Sequence, residues 1–261
     1  MPTTSRIALV RRPSPRVAEG LVENSERVPV DAALALEQWH AYVRTLVAEG
    51  WETVEVPASD AHPDGVFVED TVVMFRGVAV VTRPARPSRR GEEEATARVL
   101  ADLGCATAAV RAPGTLEGGD VLKVGDTVYV GRSARTDASG VAQLRAVLAP
   151  LGATVVAVPV TRVLHLKTAV TALPDGTAIG YEPFVDEPRL FDRFLPVPEP
   201  HGAAVVDLGG GRLLLSAAAP RTADLLADLG WTPVPVDIGE FEKLEGCVTC
   251  LSVRVRELVA R

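Results

Sequence analysis

The chain has 261 residues, 47% of them hydrophobic, enough to bury a sizeable apolar core in one body. With 34 acidic residues against 27 basic ones and a formal net charge of −7, it offers no electrostatic reason to bind a polyanion, so a nucleic acid partner is not expected. Three cysteines, an odd count in a chain of this size, argue against a disulfide framework, and the four histidines show no zinc-ligand spacing.

In chain order, the first apolar run is Ile7 to Val10, too short for a signal-peptide core or a membrane span. The reading is a cytoplasmic protein with no membrane partner. Next comes LVAEGWETVEV (46–56), which recurs as LADLGCATAAV (100–110), LAPLGATVVAV (148–158) and LADLGWTPVPV (226–236). In each copy a helix-like segment reaches Gly four residues after Leu, and a Val-rich strand follows; the Gly reads as a helix C-cap. The copies are offset by 54, 48 and 78 residues, and the widest gap has room for a degenerate copy near Arg189 to Val206. Between them lie hairpin-like pairs with Gly or Asp-Gly turns, such as DVLKVGDTVYVGR and VVDLGGGRLLLS. The unit is strand, strand, helix, strand, and five such units predict an α/β body closed as a five-bladed propeller, a single domain over residues 1–261. The Pro-rich stretch Phe194 to His201 reads as a surface loop within it.

Acidic residues cluster at DGVFVED (64–70), where Glu69 and Asp70 are candidates to bind a cationic ligand, since carboxylates in apolar surroundings need a partner. Arginine-rich loops follow at Arg83 to Arg90 and Arg132 to Thr136. One or two of these arginines could grip a carboxylate bidentately. Glu117 sits beside two glycines in LEGGDVL (116–122), and His165 lies in the apolar VLHLKT (163–168). The two fall at comparable places in neighbouring units, so strands near the axis could bring them together. In LEGCVTCLSVRV (244–255) a strand begins close to Cys250, with Cys247 upstream after Gly246. The pair fits two packed thiols, a redox couple, or one nucleophile beside one packing thiol; a nucleophile needs a base, and the base an orienting acceptor.

The ordered set DGVFVED, TRPARPSRRGE, LEGGDVL, GRSART, LHLK and EGCVTCLSV spans most of the chain and resembles the dimethylarginine dimethylaminohydrolase family, within the superfamily of guanidino-group modifying enzymes. The resemblance implies a five-bladed α/β propeller and hydrolysis of methylated arginine to citrulline and a methylamine through a covalent intermediate on a cysteine. It implies Cys250 as nucleophile, His165 as general acid and base, and Glu117 as its orienting carboxylate. It also implies Glu69 and Asp70 at the guanidinium, Asp64 at the substrate's amino end, Arg89 and Arg135 at its carboxylate, and Leu21 and Leu244 through backbone contacts. No metal or cofactor is required by this chemistry, and the resemblance leaves a homodimer open. Arginine deiminase is the nearest alternative; its relatives carry an added helical domain for which this chain has no room.

Overall fold

The structure, a computed structural model, describes residues 3–258. In chain order it runs β1 (Thr3–Val10), α1 (Ala32–Ala48), β2 (Glu52–Glu55); β3 (Val72–Phe75), β4 (Val78–Val81), α2 (Glu92–Asp102), β5 (Ala106–Ala109); β6 (Val121–Val124), β7 (Thr127–Arg132), α3 (Ala138–Leu148), β8 (Thr154–Pro159); α4 (Leu166–Ala169), β9 (Val170–Ala172), β10 (Ala178–Gly180), β11 (Phe194–Pro196); β12 (Val205–Gly209), β13 (Arg212–Ser216), α5 (Pro220–Asp228), β14 (Thr232–Val236); α6 (Gly239–Glu242) and β15 (Val253–Leu258). The strands form five three-stranded sheets. In each, the inner strand runs antiparallel to the middle one, and the middle one runs parallel to the outer one, as in β3–β4–β5 and β6–β7–β8. These are the blades of a five-bladed propeller. The first blade is assembled from opposite ends of the described chain: β15 pairs antiparallel with β1, Ile7 facing Val255, and β1 pairs parallel with β2.

Four blades carry the helix that the repeat predicts, and the glycines closing them have positive φ: Gly50 79°, Gly104 85°, Gly152 87° and Gly230 88°. A side chain there would force L-residue backbone into its disfavoured region. The fourth blade departs from the pattern. Its crossover is made of 3₁₀ turns at Glu182–Phe184 and Pro188–Leu190, because Pro183 and Pro188 interrupt any longer helix. Part of the segment expected as a loop, Phe194 to Pro196, is the edge strand β11, pairing Ala178 with Phe194. Pro196 is tolerated there because an edge strand needs a partner on one side only.

Apolar side chains gather in five clusters, one between each pair of neighbouring blades. The cluster under α1 takes Ala35, Trp39, Tyr42 and Leu46 at helical spacing, with Val66, Phe67, Ile238 and Leu251. Burying each large side chain contributes about 1.5–3 kcal/mol, so every blade is held chiefly by its neighbours. The inner strands surround an axial cavity of about 520 Å³ that includes Lys123, Arg254 and Arg256 in its wall. At one end of the axis, a short turn precedes the inner strand of each blade.

Candidate active site

Those turns carry the chemistry. Glu69 and Asp70 lie on the 3₁₀ turn Val68–Thr71 before β3, Glu117 precedes the turn Gly118–Asp120 before β6, His165 leads into α4 before β9, and Thr249 and Cys250 precede β15. Equivalent places in four successive units thus converge because the fold is pseudo-fivefold. The approach is close enough to require glycine: a Cβ on Gly119 would stand 2.6 Å from His165 Nδ1 and 2.7 Å from Asp70 Oδ1.

His165 is buried, its Nε2 2.8 Å from Glu117 Oε2 and its Nδ1 3.9 Å from Asp70 Oδ1. Burial opposes a charge on the ring, but the Asp70 carboxylate and the Glu117 hydrogen bond outweigh it and raise the pKa to about 9. Burial likewise opposes ionisation of Asp70, yet His165 and Arg89 hold it down at about 2. Glu117 stays below its usual range against the same burial cost, through His165 and Arg89. The histidine is therefore an imidazolium clasped between two carboxylates at neutral pH. Asp120, fully buried, accepts from the Leu166 N–H at 3.0 Å and from Ser133 Oγ at 2.6 Å, so it fixes the backbone next to His165.

Cys250 is buried, and its carbonyl accepts the Glu69 N–H at 3.1 Å. Thr249 Oγ1 donates to Glu69 Oε2 at 2.7 Å, so the cysteine turn is held at two points by the acidic turn of the next blade. From beneath, the Tyr42 hydroxyl of α1 donates to the Val248 carbonyl at 2.9 Å. Contact with the Cys247 sulfur, then burial and the nearby Glu69 and Asp70 carboxylates, push the Cys250 thiol well above the ordinary range. A cation placed beside it would reverse that balance.

Around these groups the remaining expected residues divide. Leu21 donates its N–H to Asp64 Oδ1 at 2.9 Å, which brings the amino-terminal loop onto the acidic turn. The loop continues over Glu245, whose carboxylate accepts from Asn24 N–H and Ser25 Oγ. Leu244 is buried below Gly20, and the chain reverses after it through Glu245 at φ 60°. Arg135, 1% exposed, donates to Glu117 at 3.0 Å and faces Glu23 of the loop at 3.3 Å. Arg89, expected at an incoming carboxylate, already shares its guanidinium between Glu92 and Asp70, each at 2.8 Å. Glu69, expected at a guanidinium, is already matched by Lys167 and Arg254, each at 2.6 Å. Asp70 and Glu117 are thus the acidic side chains placed between the histidine and the arginines, Asp70 against Arg89 and Glu117 against Arg135.

Sequence reasoning gave no role to Asp120, Thr249, Lys167 or Glu23. Asp120, Thr249 and Lys167 stood inside quoted motifs, Lys167 two residues after His165 in LHLK, but their roles depend on neighbouring blades. Glu23 pairs with Arg86 at 2.7 Å across sixty-odd residues with no local signal. Among the described residues, ligand atoms of Asp70, Glu117 and His165 lie within 4.8 Å of one another, the spacing of a metal site. Arg89 and Arg135 already supply the positive charge that two of these acids call for.

A family profile described as arginine deiminase matches residues 62–207, a span that holds Asp64, Glu69, Asp70, Arg89, Glu117, Arg135 and His165 and stops short of Cys250. The chain is 67% identical to an N(G),N(G)-dimethylarginine dimethylaminohydrolase of Streptomyces coelicolor, over 97% of this chain and 98% of that one. The chain belongs to the dimethylarginine dimethylaminohydrolase family. A second relative of that name, from Pseudomonas aeruginosa, is 35% identical over 94% of this chain and 98% of its own. A solved structure of DDAH from P. aeruginosa, a cysteine-to-serine mutant complexed with citrulline, superposes with a TM-score of 0.90 at 34% identity, covering 97% of this chain and all of that one. Membership of this family makes the chain a hydrolase of carbon–nitrogen bonds in linear amidines.

Proposed function

We propose that the chain hydrolyses Nω-methylated arginines to citrulline and a methylamine, with residues 1–261 acting as one catalytic domain. The observation that carries this reading is the placement of His165, 2.8 Å from Glu117 and 3.9 Å from Asp70, at the end of the axis where the Cys250 turn is pinned to Glu69. In the proposed reaction the guanidinium enters against Asp70, with the charge-matched Glu69 at its rear. Its positive charge favours the Cys250 thiolate, which attacks the central carbon. His165 gives its proton to the departing methylamine, since an unprotonated amine leaves poorly. The carbon–nitrogen bond breaks and an S-linked thiouronium remains. The neutral histidine then takes a proton from water, which adds to the same carbon, and the carbon–sulfur bond breaks to leave citrulline and the free thiol. Glu117 holds the ring in place through both halves. Asp64 with the Leu21 loop takes the substrate's amino end and Leu244 contributes through its backbone. Arg135, with Arg89 behind it, takes the carboxylate, and Glu23 moves off Arg135 to admit it.

The match to an arginine deiminase profile supports a second reading, release of ammonia from unsubstituted arginine. The two are separated by measuring citrulline from arginine and from its mono- and dimethylated forms side by side. We expect a higher kcat/KM for the methylated substrates, by the roughly 1–3 kcal/mol that a well-filled methyl-sized pocket supplies. Arginine turned over equally well or better would replace the first reading with the second. Among the described residues no helix is long and apolar enough to cross a membrane, which supports the cytoplasmic reading. Light scattering of the purified protein decides whether it forms a homodimer.

A further inference from the structure

Cys247 is a thiol for which the hydrolytic scheme has no use, yet its Sγ lies 3.2 Å from that of Cys250. The two residues close a tight turn: the Cys250 N–H donates to the Cys247 carbonyl at 3.0 Å, and the Cys247 N–H points at Cys250 Sγ at 3.4 Å. Such a turn keeps its first and last Cα atoms within about 7 Å, and a disulfide needs them roughly 4.4–6.8 Å apart. The sulfurs would have to approach by only about 1 Å to reach bonding distance. The third cysteine, Cys105, is buried in a different cluster, between the first two blades.

We propose that Cys247 and Cys250 form a reversible disulfide under peroxide, with Cys247 as the resolving thiol that protects the nucleophile. The proposal rests on the reading of Cys250 as nucleophile. The steps balance. The Cys250 sulfur attacks hydrogen peroxide, forming an S–O bond and breaking the O–O bond; two electrons pass from sulfur to peroxide, the thiol proton goes to the departing hydroxide, and one water leaves, giving a sulfenic acid. The Cys247 sulfur then attacks the Cys250 sulfur, the S–O bond breaks, and the oxygen leaves as a second water with the thiol proton. Two thiols and one peroxide become one disulfide and two waters. Thr249 Oγ1, whose own proton goes to Glu69, lies 3.3 Å from Cys247 Sγ and accepts from that thiol, which holds the sulfur in place beside Cys250. Cys247 is half-buried and forms part of the wall of a small cavity of about 70 Å³ with Phe184, His201 and Ser216, apart from the axial cavity. While the bond exists, Cys250 has no thiolate to offer a guanidinium.

The test is treatment of the fully reduced protein with hydrogen peroxide, reading free thiols, intact mass and turnover on the same samples, followed by dithiothreitol. We expect the free thiols to fall from three to one, the mass to drop by two hydrogen atoms, turnover to disappear in step, and dithiothreitol to restore all three. Cys247→Ser should keep its turnover before treatment, then lose it to peroxide with oxygen atoms added and no recovery in dithiothreitol, since the unresolved sulfenic acid proceeds to the sulfinic acid. A wild-type protein that gains oxygen on Cys250 and resists dithiothreitol as the variant does overturns the proposal. A disulfide that forms while turnover continues overturns it too, and in that case removes Cys250 from the nucleophile role. Failure of the hydrolase reading is seen separately, as a Cys250→Ser variant that still makes citrulline.

Discussion

Gly119 is bare because His165 and Asp70 occupy the space its Cβ would need. Gly119→Ala should therefore push the imidazole off Glu117, lowering kcat at least about tenfold while costing about 1–3 kcal/mol of stability, the usual range for overpacking. Steady-state kinetics beside a denaturant melt checks both. His165 sets the pH dependence. Its folded pKa of about 9 lies above the unfolded 6.5, so the stability that it contributes is fully present below 6.5 and is lost as pH rises through about 9. Turnover should fall over the same upper range as the general acid is lost. In Glu117→Gln, which removes one of the two carboxylates holding that proton, the falling limb should move to lower pH; an unmoved limb would assign it to another group. Cys250→Ser should abolish turnover, and Cys247→Ser should leave most of it. At this scale, Cys250, His165 and Glu117 could be named as candidates from their places in the repeat and from the ordered set of motifs, since no single motif points to chemistry by itself. The engagement of Arg89 with Asp70, and of Glu69 with Lys167 and Arg254, could not, because the partners come from another turn of the blade or from other blades.

The helix of each blade is a local decision, which is why the four copies ending in glycine were legible before any contact was known. Asp31 caps α1, accepting from the Ala33 and Leu34 N–H groups at 2.9 and 3.1 Å. Asp31→Ala should cost about 1 kcal/mol and lower the melting temperature while leaving kcat and KM unchanged, because the cysteine turn is supported by Tyr42, about three turns further along α1. Tyr42→Phe is the contrasting change on the same helix. It removes the donor to Val248 without altering the packing of the ring, so its effect should appear in kcat as the turn loosens, with stability falling by about 1 kcal/mol. The fourth blade was the least legible element, since its prolines replace the helix by turns and erase the periodicity on which the other four were recognised.

At the scale of the whole molecule, five clusters between blades make each blade depend on two neighbours, and the ring is completed where β15 meets β1. Thr3 faces Leu258 there, and bringing together positions some 250 residues apart costs about 5 kcal/mol in loop-closure entropy before any contact compensates. The closing pair is thus the last part of the fold that a growing chain can form. Chains stalled on the ribosome short of Val253 should be cut readily by protease, since β1 lacks its partner and the clusters on either side stay open, whereas released chains should resist. Cys250 lies three residues before β15 begins, on the turn that the same strand anchors. Synthesis therefore delivers Cys250 and the closing strand together: the ring shuts and the surroundings of that sulfur are completed in one event, and an unfinished molecule has no assembled pocket to offer a substrate.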